Sequence, residues 1–175
     1  SINNTNVQIA LIISEFQQND AICFKNNSNI SSVLINAPIN SISNEFKECS
    51  SIVQISLPPS IKTIGNNAFS MCTSLTQIQL PSSVNTIGDY SFYGCSSLKQ
   101  ISIPNSVTSI GFSAFKRCIS LVIIEMPSSV ESIGSSAFRE CSSLMKINIP
   151  SSVKSIGKAA FFYCTSLVEI NLPSS

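Results

Sequence analysis

Leu75-Thr76-Gln77-Ile78-Gln79-Leu80-Pro81-Ser82-Ser83-Val84-Asn85-Thr86-Ile87-Gly88-Asp89-Tyr90-Ser91-Phe92-Tyr93-Gly94-Cys95-Ser96-Ser97 is one copy of a 23-residue phrase that recurs along the chain. Its Pro-headed turn begins at Leu57-Pro58, Leu80-Pro81, Ile103-Pro104, Met126-Pro127 and Ile149-Pro150, and a sixth copy opens at Leu172-Pro173. A fixed period of this length marks a solenoid or a propeller, because one unit cannot bury its own apolar face and must stack on its neighbours. The expected product is an elongated surface, which suits binding better than chemistry.

Within one unit, Leu75-x-x-Ile78-x-Leu80 alternates apolar and polar residues and is closed by Pro81, which has no amide to donate. That reads as a short strand and its end. Val84 and Ile87 follow three apart before Gly88. Five of the six glycines fall at this point, Gly65, Gly88, Gly111, Gly134 and Gly157. Such placement predicts a backbone that a side chain would obstruct, a turn with positive φ. Ala68, Phe69 and Cys72, like Ala114, Phe115 and Cys118, stand at i, i+1 and i+4, the inward face of a short helical turn. Stacked about 4.8 Å apart, the units align Phe46, Phe69, Phe92, Phe115, Phe138 and Phe161 in one internal column. Cys49, Cys72, Cys95, Cys118, Cys141 and Cys164 form another.

At 175 residues and 43% hydrophobic content the chain is long enough for one domain with a full core. Charged residues make up only 11%, roughly half the usual share of about 25%, so Ser, Thr, Asn and Gln must wet the surface. Ten basic against nine acidic residues leave a formal charge of +1. No basic run is present to release counterions from a phosphate backbone, which argues against nucleic acid. No apolar stretch approaches the roughly 20 residues that span a bilayer, and no leader is recognisable. The start at Ser1 and the end inside a repeat read as a piece of something longer.

The pattern Leu-x-x-Ile-x-Leu-Pro-x-x-Val-x-x-Ile-Gly-x-x-Ala-Phe-x-x-Cys-x-x resembles the 23-residue leucine-rich repeat of the BspA-like, or Treponema-type, family. The likeness covers residues 57 to 175 strongly and runs backwards more loosely. Phe46, Cys49, Ile52, Ile55 and Leu57 keep the spacing, Ile42 sits one residue off, and Ile30, Val33 and Ile35 read as a strand remnant. The resemblance implies a leucine-rich repeat solenoid: an α/β-type right-handed coil with a parallel β-sheet on its concave face and short helical turns on its convex side. Residues 1–45 are expected to form an N-terminal cap and degenerate repeat, and residues 46–175 the repeats proper, truncated at the C-terminus. The uncapped last coil leaves an end-to-end dimer open. Family members are bacterial and protist proteins, many of them on the cell surface or secreted, and several are implicated in attachment to host cells and matrix proteins.

Since the concave sheet is the usual recognition face of such repeats, its outward columns are the first binding candidates. One column is Gln54, Gln77, Gln100, Ile123, Lys146 and Glu169; the other is Ser56, Gln79, Ser102, Glu125, Asn148 and Asn171. It is a polar surface with one apolar exception, Ile123, and no aromatic anchor. The same residues could merely solubilise the sheet, with Lys146 pairing to Glu169 or Glu125. On the opposite side Tyr90, Tyr93, Phe112, Phe162 and Tyr163 fall at variable positions with Lys116, Arg117 and Arg139. That is an interface composition, though packing between neighbouring turns accounts for it as well.

The cysteines invite a redox or metal reading, but spacing at the repeat period means equivalent structural sites, and no His exists to complete a zinc motif. Buried free thiols are the expectation; disulfides between adjacent coils stay open on distance, and Cys23 stands outside the ladder. Without His the commonest general base is missing. Of Glu15, Asp20, Glu45, Glu48, Asp89, Glu125, Glu131, Glu140 and Glu169, only Glu45 and Glu48 lie three apart on one turn, where a solvated pair beside Lys47 explains them. The Pro-Ser-Ser hydroxyls are expected to bond local backbone. Asn3, Asn26 and Asn29 head Asn-x-Ser/Thr sequons, which would fit a secreted eukaryotic protein and also arise by chance in an Asn-rich segment. The expectation is therefore a non-enzymatic, cofactor-free protein-binding module of the cell surface or the secreted fraction, used in adhesion to a host matrix or cell-surface protein. An intracellular scaffold and a structural stalk are the alternatives.

Overall fold

The structure, a computed structural model, describes residues 9–13 and 28–172. Cys23, Asn3, Asn26, Glu15 and Asp20 lie outside the described residues. The strands are β1 (Ile9–Ile13), β2 (Ile30–Ile35), β3 (Ser41–Ile42), β4 (Gln54–Ser56), β5 (Thr63–Ile64), β6 (Gln77–Ile78), β7 (Thr86–Ile87), β8 (Gln100–Ser102), β9 (Ser109–Ile110), β10 (Ile123–Glu125), β11 (Ser132–Ile133), β12 (Lys146–Asn148), β13 (Ser155–Ile156) and β14 (Glu169–Asn171). They form two sheets. One runs β1-β2-β4-β6-β8-β10-β12-β14 and the other β13-β11-β9-β7-β5-β3, and every pairing is parallel. The chain is thus a β-solenoid of about six turns.

Each turn of the coil follows from its sequence. Ile55, Ile78, Ile101, Ile124 and Ile147 face the core from the larger sheet while their strand neighbours face out. Pro then ends pairing, and a tight turn closes as the Val84 amide donates to the Pro81 carbonyl at 3.0 Å, repeated at Val107 and Pro104. The smaller sheet contributes Ile64, Ile87, Ile110 and Ile133, also buried. Between these two walls the phenylalanines stack with ring centroids 5.2 to 5.7 Å apart, from Phe46 through Phe161.

The convex side corrects the expected helical turns: it is not helical. Asn67, Tyr90, Ser113, Ser136 and Ala159 have positive φ, and so do Met71, Gly94, Arg117, Glu140 and Tyr163 four residues further on. Right- and left-handed residues interrupt any helix, and the amides take alternate partners. Those of Ala68, Ser70 and Cys72 donate three residues back, to Gly65, Asn67 and Phe69. Those of Asn67, Phe69 and Met71 donate to Asp89, Ser91 and Tyr93 of the next coil, at 2.9, 2.7 and 2.6 Å. An α-helix would keep all of these bonds inside one turn; here half of them tie the stack together. Among the described residues a single 3₁₀ turn, Asn44–Phe46, occurs, in the first such loop. It absorbs the one-residue offset of Ile42, which still pairs with Ile64.

The glycine column is also corrected in part. Obstruction is its reason, but Gly65, Gly88, Gly111, Gly134 and Gly157 do not have positive φ. A Cβ on Gly134 would lie 2.6 Å from the Gly111 carbonyl carbon, and one on Gly111 2.5 Å from that of Gly88. Close approach of coil to coil excludes the side chain. The Pro-Ser-Ser hydroxyls likewise reach beyond their own turn: Ser83 donates to the Pro59 and Ile61 carbonyls, Ser129 to Val107 and Ser152 to Val130, each in the preceding coil.

Three substitutions test this packing by thermal or denaturant unfolding. Phe115→Ala removes a fully buried ring from the stack and should cost about 3–5 kcal/mol. Gly134→Ala forces two backbones apart and should cost about 1–3 kcal/mol. Ser91 is fully buried with a hydroxyl that has no hydrogen-bond partner, at a position where other coils carry Ala68, Ala114, Ala137 and Ala160. Ser91→Ala should therefore raise stability, by about 1 kcal/mol.

Candidate functional site

The outer face of the larger sheet gathers the residues read as its columns. Gln77, Gln79, Gln100, Ser102, Ile123, Glu125, Lys146, Asn148, Glu169 and Asn171 are all exposed. Parallel register sets Gln77 beside Gln100, Gln100 beside Ile123, Ile123 beside Lys146, and Lys146 beside Glu169. Lys146 Nζ and Glu169 Oε1 are 2.9 Å apart, which makes Glu169 rather than Glu125 the lysine's partner. Asn171 Nδ2 donates to Asn148 Oδ1 at 2.7 Å and to Glu169 Oε1 at 2.8 Å. The ammonium of Lys146 and the Asn171 amide hold the Glu169 carboxyl below its ordinary range.

Two shallow troughs run along this face. The first, about 580 Å³, is lined by amides and hydroxyls such as Gln54, Gln77, Gln79, Gln100 and Ser102. The second, about 560 Å³, is lined by Val122, Ile123, Met145, Lys146 and Asn148. Ile123 and Glu125 belong to both. Ile123 is 55% exposed and Met145 53%, with Val122 beside them, so the apolar centre is broader than the single residue read from sequence. Val122 and Met145 were legible in one column, just before the strand, where Thr76 and Lys99 give way to Val122, Met145 and Val168.

The opposite flank forms one linked cluster. Tyr90 meets Tyr93 and Phe112 edge-on at 6.0 and 5.1 Å. Arg117 donates through Nη1 to the Tyr93 hydroxyl at 3.2 Å and through Nε to Glu140 Oε2 at 2.8 Å. Arg139 Nε holds the other Glu140 oxygen at 3.0 Å, and its guanidinium lies 5.0 Å from the Phe162 ring centre. Phe162 contacts Tyr163 at 4.2 Å, and Lys116 sits 5.9 Å from the Tyr93 ring centre. Hydrogen bonds from the Arg117 and Arg139 guanidiniums hold the Glu140 carboxyl below its ordinary value.

The ladder cysteines are free thiols. From Cys72 onward each hydrogen-bonds a phenylalanine carbonyl of the preceding coil: Cys72 to Phe46 at 3.0 Å, then Cys95 to Phe69, Cys118 to Phe92 and Cys141 to Phe115, each at 3.1 Å, and Cys164 to Phe138 at 3.0 Å. Burial pushes the thiols of Cys72, Cys95, Cys118 and Cys141 far up, and that of Cys164 to about 11. Thiolate, the nucleophile and metal ligand, is thereby suppressed. Among the described residues no group of three or more His, Cys, Asp or Glu side chains is placed to hold a metal ion, and no helix is long and apolar enough to cross a membrane.

The BspA type leucine rich repeat region, in six copies, matches residues 17–142 and 85–175. The chain belongs to this family. Among solved structures it is similar to a leucine-rich repeat protein of Treponema pallidum, with 37% identity, a TM-score of 0.78, and coverage of 82% of this chain and 70% of that one. It is similar to one from Bacteroides ovatus at 30% identity and a TM-score of 0.84, over 94% of this chain and 46% of that one. A leucine rich cell surface protein of Faecalibacterium prausnitzii shares the fold at 23% identity and a TM-score of 0.50, over 87% of this chain and 62% of that one. The chain thus spans less than half of the Bacteroides protein it matches. No curated protein matches it.

A BspA-type stack with buried thiols has a defined response to alkali. Folding raises the thiol pKa values above the reference value of 9.0, so above about pH 9 the unfolded chain releases protons that the folded one retains. Stability is fully present below that pH and should fall above it, by up to about 1.4 kcal/mol per pH unit for each such thiol. Urea unfolding between pH 7 and 10.5 should show this loss, and Cys95→Ala combined with Cys118→Ala should flatten it.

Proposed function

We propose that this chain is a non-enzymatic protein-binding module that recognises its partner across the outer face of the larger sheet. The observation that carries the reading is the exposed apolar centre of Val122, Ile123 and Met145, flanked by Glu125, Lys146 and Asn148 and continuous with a trough of Gln and Ser side chains. An apolar centre within a polar rim is the general anatomy of a protein interface. Membership of a leucine-rich repeat family supports protein interaction as its use. Such a face binds through many modest contacts, and repetition along a longer protein would add avidity.

We place the module at the cell surface or in the secreted fraction, attaching to host cells or matrix proteins. Support comes from the surface description carried by the Faecalibacterium neighbour of the same fold. Antibody against the chain should label intact cells of the source organism, and external protease should remove the signal. Labelling only after permeabilisation would overturn the placement and favour an intracellular scaffold.

The face itself is tested by replacing Ile123 with Asp, Lys146 with Glu and Glu169 with Lys together. Binding to immobilised matrix proteins or whole host cells should be abolished while the melting temperature stays within a few degrees, since all three side chains are exposed. Unchanged binding by the folded triple variant would remove the larger sheet as the recognition face.

A further inference from the structure

Of the surfaces outside the proposed recognition face, the convex flank of the last four coils is the most elaborated. The two positions after each core Phe hold Lys47 and Glu48, then Ser70 and Met71, Tyr93 and Gly94, Lys116 and Arg117, Arg139 and Glu140, and Phe162 and Tyr163, of which Ser70 and Gly94 are buried. Stacking the coils does not require this composition, because the backbone bonds at these positions are the same whichever side chain is present: Met71 donates to the Tyr93 carbonyl as Arg117 does to Arg139. Met71, exposed and uncharged, shows that charge is not needed there.

The side chains instead organise one another. Glu140 fixes both guanidiniums by their Nε atoms, the Tyr93 hydroxyl oxygen accepts a hydrogen bond from Arg117 Nη1, and Phe162 supports the face of Arg139. Three cations, Lys116, Arg117 and Arg139, thus share the band with the Glu140 carboxylate, which is already spent on two of them. No ion pair engages Lys116 among the described residues. Phe112 is 41% exposed, Phe162 48% and Tyr163 60%, so rigid aromatic area borders the excess positive charge. Orienting the arginines in advance lowers the entropy that a partner must overcome, and forked guanidiniums suit carboxylates.

We propose that this convex band is a second docking surface, and that it takes an acidic, aromatic-containing segment of a partner protein. Carboxylates of that segment meet Lys116, Arg117 Nη2 and the Nη groups of Arg139, while its rings pack on Tyr93, Phe162 and Tyr163. Neighbouring coils stand about 4.8 Å apart, so the band from Tyr93 to Phe162 spans on the order of 14 Å and accommodates roughly four extended residues. Excess charge selects the partner's sign, and the rings distinguish a protein segment from a uniformly anionic polymer.

The test uses the whole chain and a short fluorescein-labelled peptide of alternating Glu and Tyr, read by fluorescence anisotropy at physiological salt. Heparin and phosphatidylserine vesicles serve as alternative anions. The peptide should bind, and Lys116→Glu combined with Arg139→Glu should weaken it about tenfold or more with the melting temperature retained. Ile123→Asp, on the opposite face, should leave it unchanged, which separates this surface from the larger-sheet reading. Absence of peptide binding, equal binding by the charge-reversed variant, or binding of heparin or vesicles without the peptide would each overturn the proposal. Should the double reversal unfold the chain, Lys116→Gln alone is expected to lower affinity a few-fold, and an unchanged affinity there would overturn it too.

Discussion

Every layer of this molecule depends on backbone hydrogen bonds made from one coil to the next. Along the two sheets these are ordinary parallel ladders. The convex turns contribute as well, because every second amide there points along the solenoid axis instead of back into its own loop. Such bonds require identical conformation and close spacing in successive coils, which accounts for the recurring Gly and for the flat stack of Phe rings. The same spacing brings each cysteine from Cys72 onward under a carbonyl of the coil before it. Core composition and surface columns are both set by that one repeat distance.

Much of this was legible in the chain. The period, the strands of the larger sheet, the Phe and Cys columns and the outward columns of that sheet could be read because a spacing of 23 residues places equivalent side chains one above another, whereas the two-residue strands before each Gly, which build the smaller sheet, were not read as strands. What could not be read was the conformation of the convex turn. Ala68, Phe69 and Cys72 point inward at i, i+1 and i+4, as on a helix, yet alternating left- and right-handed residues produce the same facing. The discriminating fact is that the amides bond to the next coil, and the pattern within one unit does not reveal it. Gly was misread in part for the same reason: an obstruction from the preceding coil and a positive φ leave the same mark on a sequence. At the sites, inspection of the strand columns alone found Ile123 and passed over Val122 and Met145, which stand just outside the strand but share its exposed patch.

The two elaborated faces differ in chemical character. On the larger sheet, charge is sparse and the apolar centre is aliphatic; on the convex side, rings and guanidiniums are locked into one network. Both lie on the same rigid scaffold, whose stiffness comes from interior columns that neither surface disturbs. Variation on one side can therefore proceed without altering the other, because the lateral bonds at the outward positions are made by backbone atoms whichever side chain is present.

The thiol column carries a consequence for how such a chain is made. In the finished stack the thiols from Cys49 to Cys141 are buried and Cys164 is half-buried, so an oxidant meets little accessible sulfur. During synthesis the same cysteines are accessible and evenly spaced, and six of them admit 15 alternative full pairings, whereas in the stacked structure they are free thiols. Oxidation and coil stacking then compete in time, and the nascent chain escapes cross-linking only if each turn closes over its sulfur before a second one becomes available.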